Sequence, residues 1–277
     1  MNERARRAPS GFDPGGPLPK SDGGGVVAGE GETLSYLAGH FRILQLQRGN
    51  RWSLDELVTA HVASAYSPQT LLDLGTGIGS VLLLLAWKFP AMEGIGVEAQ
   101  EVSAALAERS IRYDDCEARL RVVRSDLRDS SLFAPGHRFD LVTGTPPYFP
   151  PGTGLESTTP QCAPARFEHR GGVEAYAEAS ARWLAKDGRF VMCGAFIEEA
   201  RMLDAVRASR LAPEHLLRVI PKAGKGPRVV VLTSRHADAA SNSHEASPTI
   251  DELVVRDEAD RWTEQFRVVR RNFGMPD

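Results

Sequence analysis

The chain has 277 residues, enough for one large domain or two small ones, and its 42% hydrophobic and 25% charged content is that of a globular protein. This composition excludes collagen, a coiled coil and wholesale disorder. The net charge of -3 excludes a nucleic-acid partner attracted by overall charge, so such a partner needs a local basic patch.

Residues 1–32 are rich in glycine and proline and have almost no apolar periodicity, which predicts a disordered leader. We predict one α/β domain over residues 33–235. The polar residues 236–249 are typical of a linker. Residues 250–277 predict a C-terminal strand and helix that pack on the domain.

Short apolar runs alternate with amphipathic stretches, a pattern typical of βα units around a parallel sheet. The predicted strands are residues 70–74, 94–98, 120–125, 141–143, 189–194, 214–220 and 228–234. The predicted helices are residues 80–88, 99–113, 172–185 and 198–209. A Gly/Pro/Lys loop joins the last two strands and predicts an antiparallel hairpin. The fold class is therefore α/β, a Rossmann-like three-layer sandwich with a seven-stranded, mostly parallel sheet that ends in an antiparallel hairpin.

The cysteines and the hydropathy of the chain indicate its cellular location. The three cysteines are far apart and form no CxxC pair, which predicts neither a disulfide framework nor a metal site. The longest apolar run, residues 81–87, is much shorter than the roughly 20 residues of a membrane span, and we expect no signal segment. We therefore expect a cytoplasmic protein with no membrane partner, and we favour a monomer.

Residues 71–80, LLDLGTGIGS, lead from a buried strand through a glycine-rich turn into a helix. Glycine lets the backbone approach a ligand and leaves helix N-terminal amides facing negative charge. The dinucleotide pattern GxGxxG/A is not matched, because the third glycine comes one residue early. Asp73 suits a ligand with an ammonium group. The pattern favours S-adenosylmethionine over NAD, with these cofactor-binding residues: Asp73, Gly75, Thr76, Gly77 and Gly79.

Two more acids follow the next two strands. Glu98 can accept both ribose hydroxyls, in NAD and methyl-donor folds alike. Asp126 can accept from the adenine amino group, and we assign the adjoining Leu127 to the same cofactor-binding segment. Each acid alone could equally be a loop carboxylate or a helix cap. Three acids at three neighbouring strand ends behind a glycine loop predict a nucleoside site.

Residues 145–149, TPPYF, follow the fourth strand and form what we call the ledge. A conjugated amine nitrogen attacks a sulfonium methyl only if acceptors hold its N–H groups. We predict that Thr145 and the Pro146 carbonyl accept from that amine and that Pro147 stiffens the ledge. Tyr148 would stack on a planar substrate, and Phe149 would shape the pocket wall. A proline-rich turn with core aromatics is the other interpretation.

The motifs DLGTGIG and TPPY together resemble class I S-adenosylmethionine-dependent methyltransferases that act on exocyclic or amide nitrogen. The following segments resemble, in order and spacing, the bacterial tRNA(1-Val) adenine-N(6) methyltransferase family: residues 42–45, 49–57, 165–168, 184–189, 221–225, 228–232 and 253–264. The resemblance covers residues 34–273 and implies methylation of adenine in tRNA. It also implies that Ser53 and Asp55 fold over the methionine end of the cofactor, although both positions equally fit the start of a helix.

One position departs from the family, which has Asn where this chain has Thr145. A threonine hydroxyl is a shorter acceptor than an asparagine amide. Three outcomes stay open at this point: slower adenine methylation, a shifted target, or a domain that binds cofactor without catalysis.

Residues 201–235 contain eight basic and two acidic side chains, a local charge of +6. We predict that Lys222, Lys225 and Arg228 contact RNA phosphates, although a solvated charged face is the other interpretation. The competing functions are a protein glutamine N-methyltransferase that uses the same ledge and a cofactor-binding but catalytically inactive RNA-binding subunit.

Overall fold

The computed structural model describes residues 12–149, 152, 161, 165–237 and 247–277. Its strands, in chain order, are β1 (Glu32–Ala38), β2 (Phe41–Leu46), β3 (Thr70–Leu74), β4 (Glu93–Glu98), β5 (Leu120–Arg124), β6 (Phe139–Gly144), β7 (Leu184–Ala195), β8 (Leu211–Ile220), β9 (Val229–His236) and β10 (Thr249–Val254). Its α-helices are α1 (Leu54–Ala63), α2 (Ser80–Lys88), α3 (Glu101–Tyr113), α4 (Val173–Trp183), α5 (Glu199–Ala208) and α6 (Glu264–Asn272). Within these residues, each helix is too short or too polar to cross a membrane.

Eight strands form the main sheet, in the order β10-β8-β9-β7-β6-β3-β4-β5. The run from β7 to β5 is parallel, whereas β9 is antiparallel to both β7 and β8. The predicted α/β class and the final antiparallel hairpin, β8 with β9, are therefore confirmed.

The strand count differs from the predicted seven, because β10 adds an eighth strand parallel to β8. Its first four residues are exposed, and Leu253 is buried. An edge strand has one neighbour and is held mainly by backbone hydrogen bonds, so its side chains give a weak sequence signal. The predicted C-terminal strand is thus part of the main sheet.

A separate antiparallel hairpin, β1 with β2, was not predicted. Its inward side chains, including Leu37, Phe41 and Leu44, are buried. The Leu44 N–H donates to Ser110 Oγ at 2.9 Å, and the Arg42 N–H donates to Asp114 Oδ1 at 3.0 Å. The hairpin therefore packs against α3 and closes one side of the domain.

Part of the expected disordered leader lies among the described residues. The Lys20 N–H donates to the Tyr113 carbonyl at 3.2 Å, and the Lys20 side chain forms an ion pair with Glu117. A short turn at Gly23–Gly25 lies close to the Tyr113 ring. Residues 20–25 thus run beside the end of α3. Residues 1–11 of the leader, and residues 238–246 of the predicted linker, lie outside the described residues.

Two hydrophobic layers cover the sheet. One contains side chains of α1, α2, α3 and α6 together with the β1–β2 hairpin. The other contains side chains of α4 and α5. On β3, Leu71 belongs to the first layer, whereas Leu72 and Leu74 belong to the second, as the two-residue period of a strand requires. This is the predicted three-layer sandwich.

The carboxyl ends of parallel strands meet at one edge of a sheet, where ligands bind in open α/β folds. Here β3 ends at Leu74, β4 at Glu98 and β6 at Gly144. The glycine loop, Glu98 and the ledge therefore share one edge.

Candidate active site

The glycine loop between β3 and α2 is held tightly on one side and open on the other. Gly75 and Gly77 have φ values of +59° and +58°, which other residues adopt only with strain. A Cβ at Gly75 would lie 2.1 Å from the Tyr176 hydroxyl. A Cβ at Gly77 would lie 4.0 Å from its nearest neighbour, the Gly75 carbonyl oxygen. Gly79 precedes α2 as its N-cap residue.

Asp73 lies beneath this loop and does not line the pocket. Thr76 Oγ1 donates to Asp73 Oδ2 at 2.6 Å, and Thr143 Oγ1 donates to Asp73 Oδ1 at 2.7 Å. Burial raises the pKa of the Asp73 carboxyl to about 6. Each carboxylate oxygen accepts one buried threonine hydroxyl, and Thr76 lines the pocket whereas Asp73 does not. The predicted contact between Asp73 and a ligand ammonium stays a prediction.

Glu98 lines the pocket in front of the loop. Its Oε2 accepts the Gly77 N–H at 2.9 Å, and its Oε1 accepts the Gln100 N–H at 2.7 Å. Burial raises the pKa of the Glu98 carboxyl, and these two amides oppose that rise. A carboxylate has about four acceptor sites, so two remain for ligand hydroxyls.

Asp126 and Leu127 line the same pocket beyond β5. Arg128 binds the Asp126 carboxylate through two side-chain hydrogen bonds of 2.9 and 2.7 Å. This guanidinium lowers the pKa of the Asp126 carboxyl. Sequence reasoning missed Arg128, although its place two residues after Asp126 was a visible signal. A second cation in the pocket wall, Arg170, also lowers the pKa of Glu98 and Asp126.

The ledge reaches this pocket through Thr145 and Pro147, whereas Pro146 is buried behind them. Its far end is anchored by two backbone hydrogen bonds. The Phe149 N–H donates to the Arg166 carbonyl at 3.0 Å, and the Glu168 N–H donates to the Phe149 carbonyl at 3.0 Å.

The two aromatic residues of the ledge, Tyr148 and Phe149, differ in exposure and in direction. The Tyr148 hydroxyl donates to Asp55 Oδ2 at 2.5 Å and lies 3.3 Å from Cys193 Sγ, so it points into the protein. Burial raises the pKa of Tyr148 well above its usual range. Phe149 is 50% exposed, with its ring 5.8 Å from that of Phe167. Phe149 thus has the more exposed ring, neither aromatic residue lines the pocket, and the stacking role of Tyr148 stays a prediction.

The polar side chains in the first turn of α1 make contacts within the protein, whereas Ser53 and Asp55 were expected to contact the cofactor. Ser53 caps the helix: its Oγ accepts the Asp55 N–H at 3.4 Å, and its own N–H donates to Glu56 Oε2 at 2.8 Å. Neither Ser53 nor Asp55 lines the pocket, but Glu56 and Asn50 do. Sequence reasoning missed Glu56, whose spacing from Ser53 is that of a capping box.

The basic segment 201–235 is largely neutralised by acids. Arg218 pairs with Glu199 at 2.7 Å, and Lys222 pairs with Asp260 at 3.6 Å. Arg201 is bound by a group of three glutamates: Glu168, Glu174 and Glu198. Several of the basic side chains are therefore paired with acids, which lie mainly outside residues 201–235, and the predicted phosphate contacts stay predictions.

Lys225 and Arg228 resemble Arg210 and differ from the paired cations of that segment. Both are exposed, and neither forms an ion pair with another described residue. They lie in the loop between β8 and β9. Because Val229 pairs with Ala195 at the carboxyl end of β7, this loop is at the same sheet edge as the ledge.

This sheet order, with one antiparallel strand inserted beside β7 and a glycine loop after β3, defines a Rossmann-like methyltransferase fold. A solved structure of a predicted O-methyltransferase from Agrobacterium tumefaciens shows the same fold. It superposes with a TM-score of 0.58 at 18% identity and covers 80% of this chain and 98% of that one.

Sequence relatives are more specific than the fold. The chain is 26% identical over 242 residues to a tRNA1(Val) (adenine(37)-N6)-methyltransferase of Tolumonas auensis, covering 86% of this chain and 96% of that protein. It is 29% identical over 192 residues to a protein of the same name from Porphyromonas gingivalis, covering 68% and 72%. No protein-family model matches the chain. The relatives confirm the resemblance predicted from the motifs.

Proposed function

We propose that this protein is an S-adenosylmethionine-dependent N-methyltransferase that acts on the exocyclic amine of adenine in RNA, with tRNA as the substrate. One observation carries the proposal: Thr145 and Pro147 line the same pocket as Gly75, Gly77 and Glu98. A cofactor site and one proposed amine acceptor, Thr145, therefore face one space. The names of the relatives support adenine in tRNA as the target.

The pocket residues fit S-adenosylmethionine. The open space above Gly77 lets the backbone approach a ligand closely. In our proposal, residues Gly75, Thr76, Gly77 and Gly79 hold the amino-acid end. Glu98 accepts from the ribose hydroxyls, and Asp126 with Leu127 holds the adenine. Asp73 acts indirectly, through its hydrogen bond from Thr76.

The bound cofactor supplies a methyl group on a positively charged sulfur, which keeps the bonding electron pair when a nitrogen attacks. The ledge prepares that nitrogen: the Thr145 hydroxyl and the Pro146 carbonyl accept its N–H groups and keep its lone pair directed at the methyl. Pro147 restricts the backbone around these acceptors. Phe149 stacks on the base. The alkylated nitrogen is cationic and loses its proton readily, so no strong base is needed.

Lys225 and Arg228 are the proposed phosphate contacts, because both are exposed at the sheet edge that carries the ledge. Lys222 contributes less, since Asp260 already pairs with it. A glutamine side chain in a protein has no phosphates for these cations to meet, so RNA is favoured. A tRNA substrate also agrees with the expected cytoplasmic location.

Tritium transfer from labelled S-adenosylmethionine tests the proposal. Unmodified total tRNA and a protein extract are incubated in parallel with the enzyme, and the labelled fraction is digested and separated. Label in N(6)-methyladenosine is the expected result. Label in protein alone would favour a glutamine N-methyltransferase. Cofactor binding without any transfer would favour a catalytically inactive RNA-binding subunit.

A further inference from the structure

Two neighbouring acids in the first turn of α1 face different parts of the molecule. Asp55 accepts the Tyr148 hydroxyl at 2.5 Å, outside the pocket. Glu56, the next residue, lines the pocket. Since Tyr148 follows Thr145 by three residues, this turn lies at the ledge end of the pocket. Methyl transfer must take place at that end.

The Glu56 carboxylate is held in place without a cation. Its Oε2 accepts the Ser53 N–H at 2.8 Å and the Ser53 hydroxyl at 3.0 Å. No described Lys, Arg or His forms an ion pair with it, and burial, together with the nearby Asp55 charge, raises its pKa. Glu56 is half-buried, and a carboxylate that is partly removed from water without a cation beside it is unfavourable. A cationic ligand placed beside it would relieve that cost.

The other two acids of the pocket follow β4 and β5, which lie two and three strands away from β6 and its ledge. Glu98 accepts two backbone amides at the end of β4, and Asp126 is bound by Arg128 beyond β5. Arg170 acts on the pKa of both of these acids. Among the described pocket-lining acids, Glu56 is thus the one at the ledge end.

We propose that Glu56 makes the pocket select S-adenosylmethionine over its product S-adenosylhomocysteine. This inference rests on the proposed function. The two molecules share the amino-acid and adenosine parts but differ at sulfur, which is cationic before transfer and neutral after it. A fixed carboxylate at the transfer end attracts the first and not the second. Glu56 therefore favours replacement of the spent cofactor by a fresh molecule of S-adenosylmethionine.

The test is the affinity of each ligand for the Glu56→Gln variant, measured by calorimetry at neutral pH. Glutamine can replace glutamate in a capping box, so α1 keeps its start. We expect affinity for S-adenosylmethionine to fall about tenfold and affinity for S-adenosylhomocysteine to change by less than about threefold. The control is Glu101→Gln, which removes an exposed acid from the first turn of α3 and is expected to change neither affinity.

The other outcomes are distinct. Unchanged affinities in Glu56→Gln would overturn the inference, and so would an equal loss for both ligands, which would place Glu56 beside a group that they share. A wild-type protein that binds neither ligand would overturn the proposed function itself. Unfolding of each variant, followed by circular dichroism, shows whether the fold is retained.

Discussion

Replacing Asp73 tests whether this carboxylate holds the glycine loop from below. Asp73 is 2% exposed and accepts hydrogen bonds from Thr76 and Thr143. Alanine leaves both buried hydroxyls without that acceptor, whereas asparagine keeps one acceptor and offers an N–H to the other hydroxyl. Each unsatisfied group costs about 1–3 kcal/mol, so we expect Asp73→Ala to be about 2–6 kcal/mol less stable than Asp73→Asn.

The same pair of proteins predicts a pH dependence. The pKa of Asp73 is raised from 3.8 to about 6, so the folded state binds the proton more tightly than the unfolded chain. The resulting stabilisation is fully present below pH 3.8 and is lost as pH rises through about 6. At 1.36 kcal/mol per unit, the wild type should lose about 3 kcal/mol relative to Asp73→Asn over that window.

Urea unfolding of the wild type and both variants, followed by circular dichroism across this pH range, measures these differences. Calorimetry measures the affinity for S-adenosylmethionine and so tests whether the glycine loop keeps its conformation. Asp73→Ala should lose cofactor binding, because Thr76 is no longer held. Alanine and asparagine variants of equal stability would refute the hydrogen-bond argument. A pH-independent difference between wild type and Asp73→Asn would refute the burial argument.

Three further predictions concern the ledge and the RNA. Thr145→Asn should raise the initial rate of methyl transfer to tRNA at least about tenfold, because the longer amide reaches the amine more readily. Phe149→Ala should raise the KM for tRNA about tenfold through lost stacking, whereas Tyr148→Phe should lower the stability to urea instead. A Lys225→Ala, Arg228→Ala double variant should reduce the salt dependence of log Kd for tRNA by about 2, with cofactor affinity unchanged.

Each of these has a contrary result. An unchanged or slower rate for Thr145→Asn would mean that the threonine hydroxyl is not the limiting acceptor. An unchanged KM for tRNA in Phe149→Ala would mean that Phe149 is not the stacking residue. An unchanged salt slope in the double variant would move the phosphate contacts to another surface.

The local sequence was sufficient to predict a strand or helix where one continuous apolar run determines it. The predicted strand 70–74 and helix 80–88 coincide with β3 and α2, because an apolar run there is interrupted by the glycine turn. The β1–β2 hairpin was missed because distant residues decide its place. Its backbone hydrogen bonds to Ser110 and Asp114 span 66 and 72 residues of sequence.

The same distinction applies within the site. The glycine loop, Glu98 and Thr145 converge because parallel strands end at one edge, a rule that strand order alone supplies. The direction of Tyr148 depends on Asp55, 93 residues away, and no local pattern of the ledge reports it. The net charge of residues 201–235 did not show how many of the cations are paired. A count along the sequence omits partners from other segments, such as Asp260.

The first turn of α1 contributes one acid to the ledge and one acid to the pocket. Successive helical residues point about 100° apart, so Asp55 and Glu56 cannot face the same wall. Asp55 holds the ledge through Tyr148, and Glu56 faces the cofactor pocket. Ser53 fixes both by capping the helix. One turn therefore couples the position of the target acceptors to the charge beside the methyl donor, and a displacement of α1 would disturb both at once.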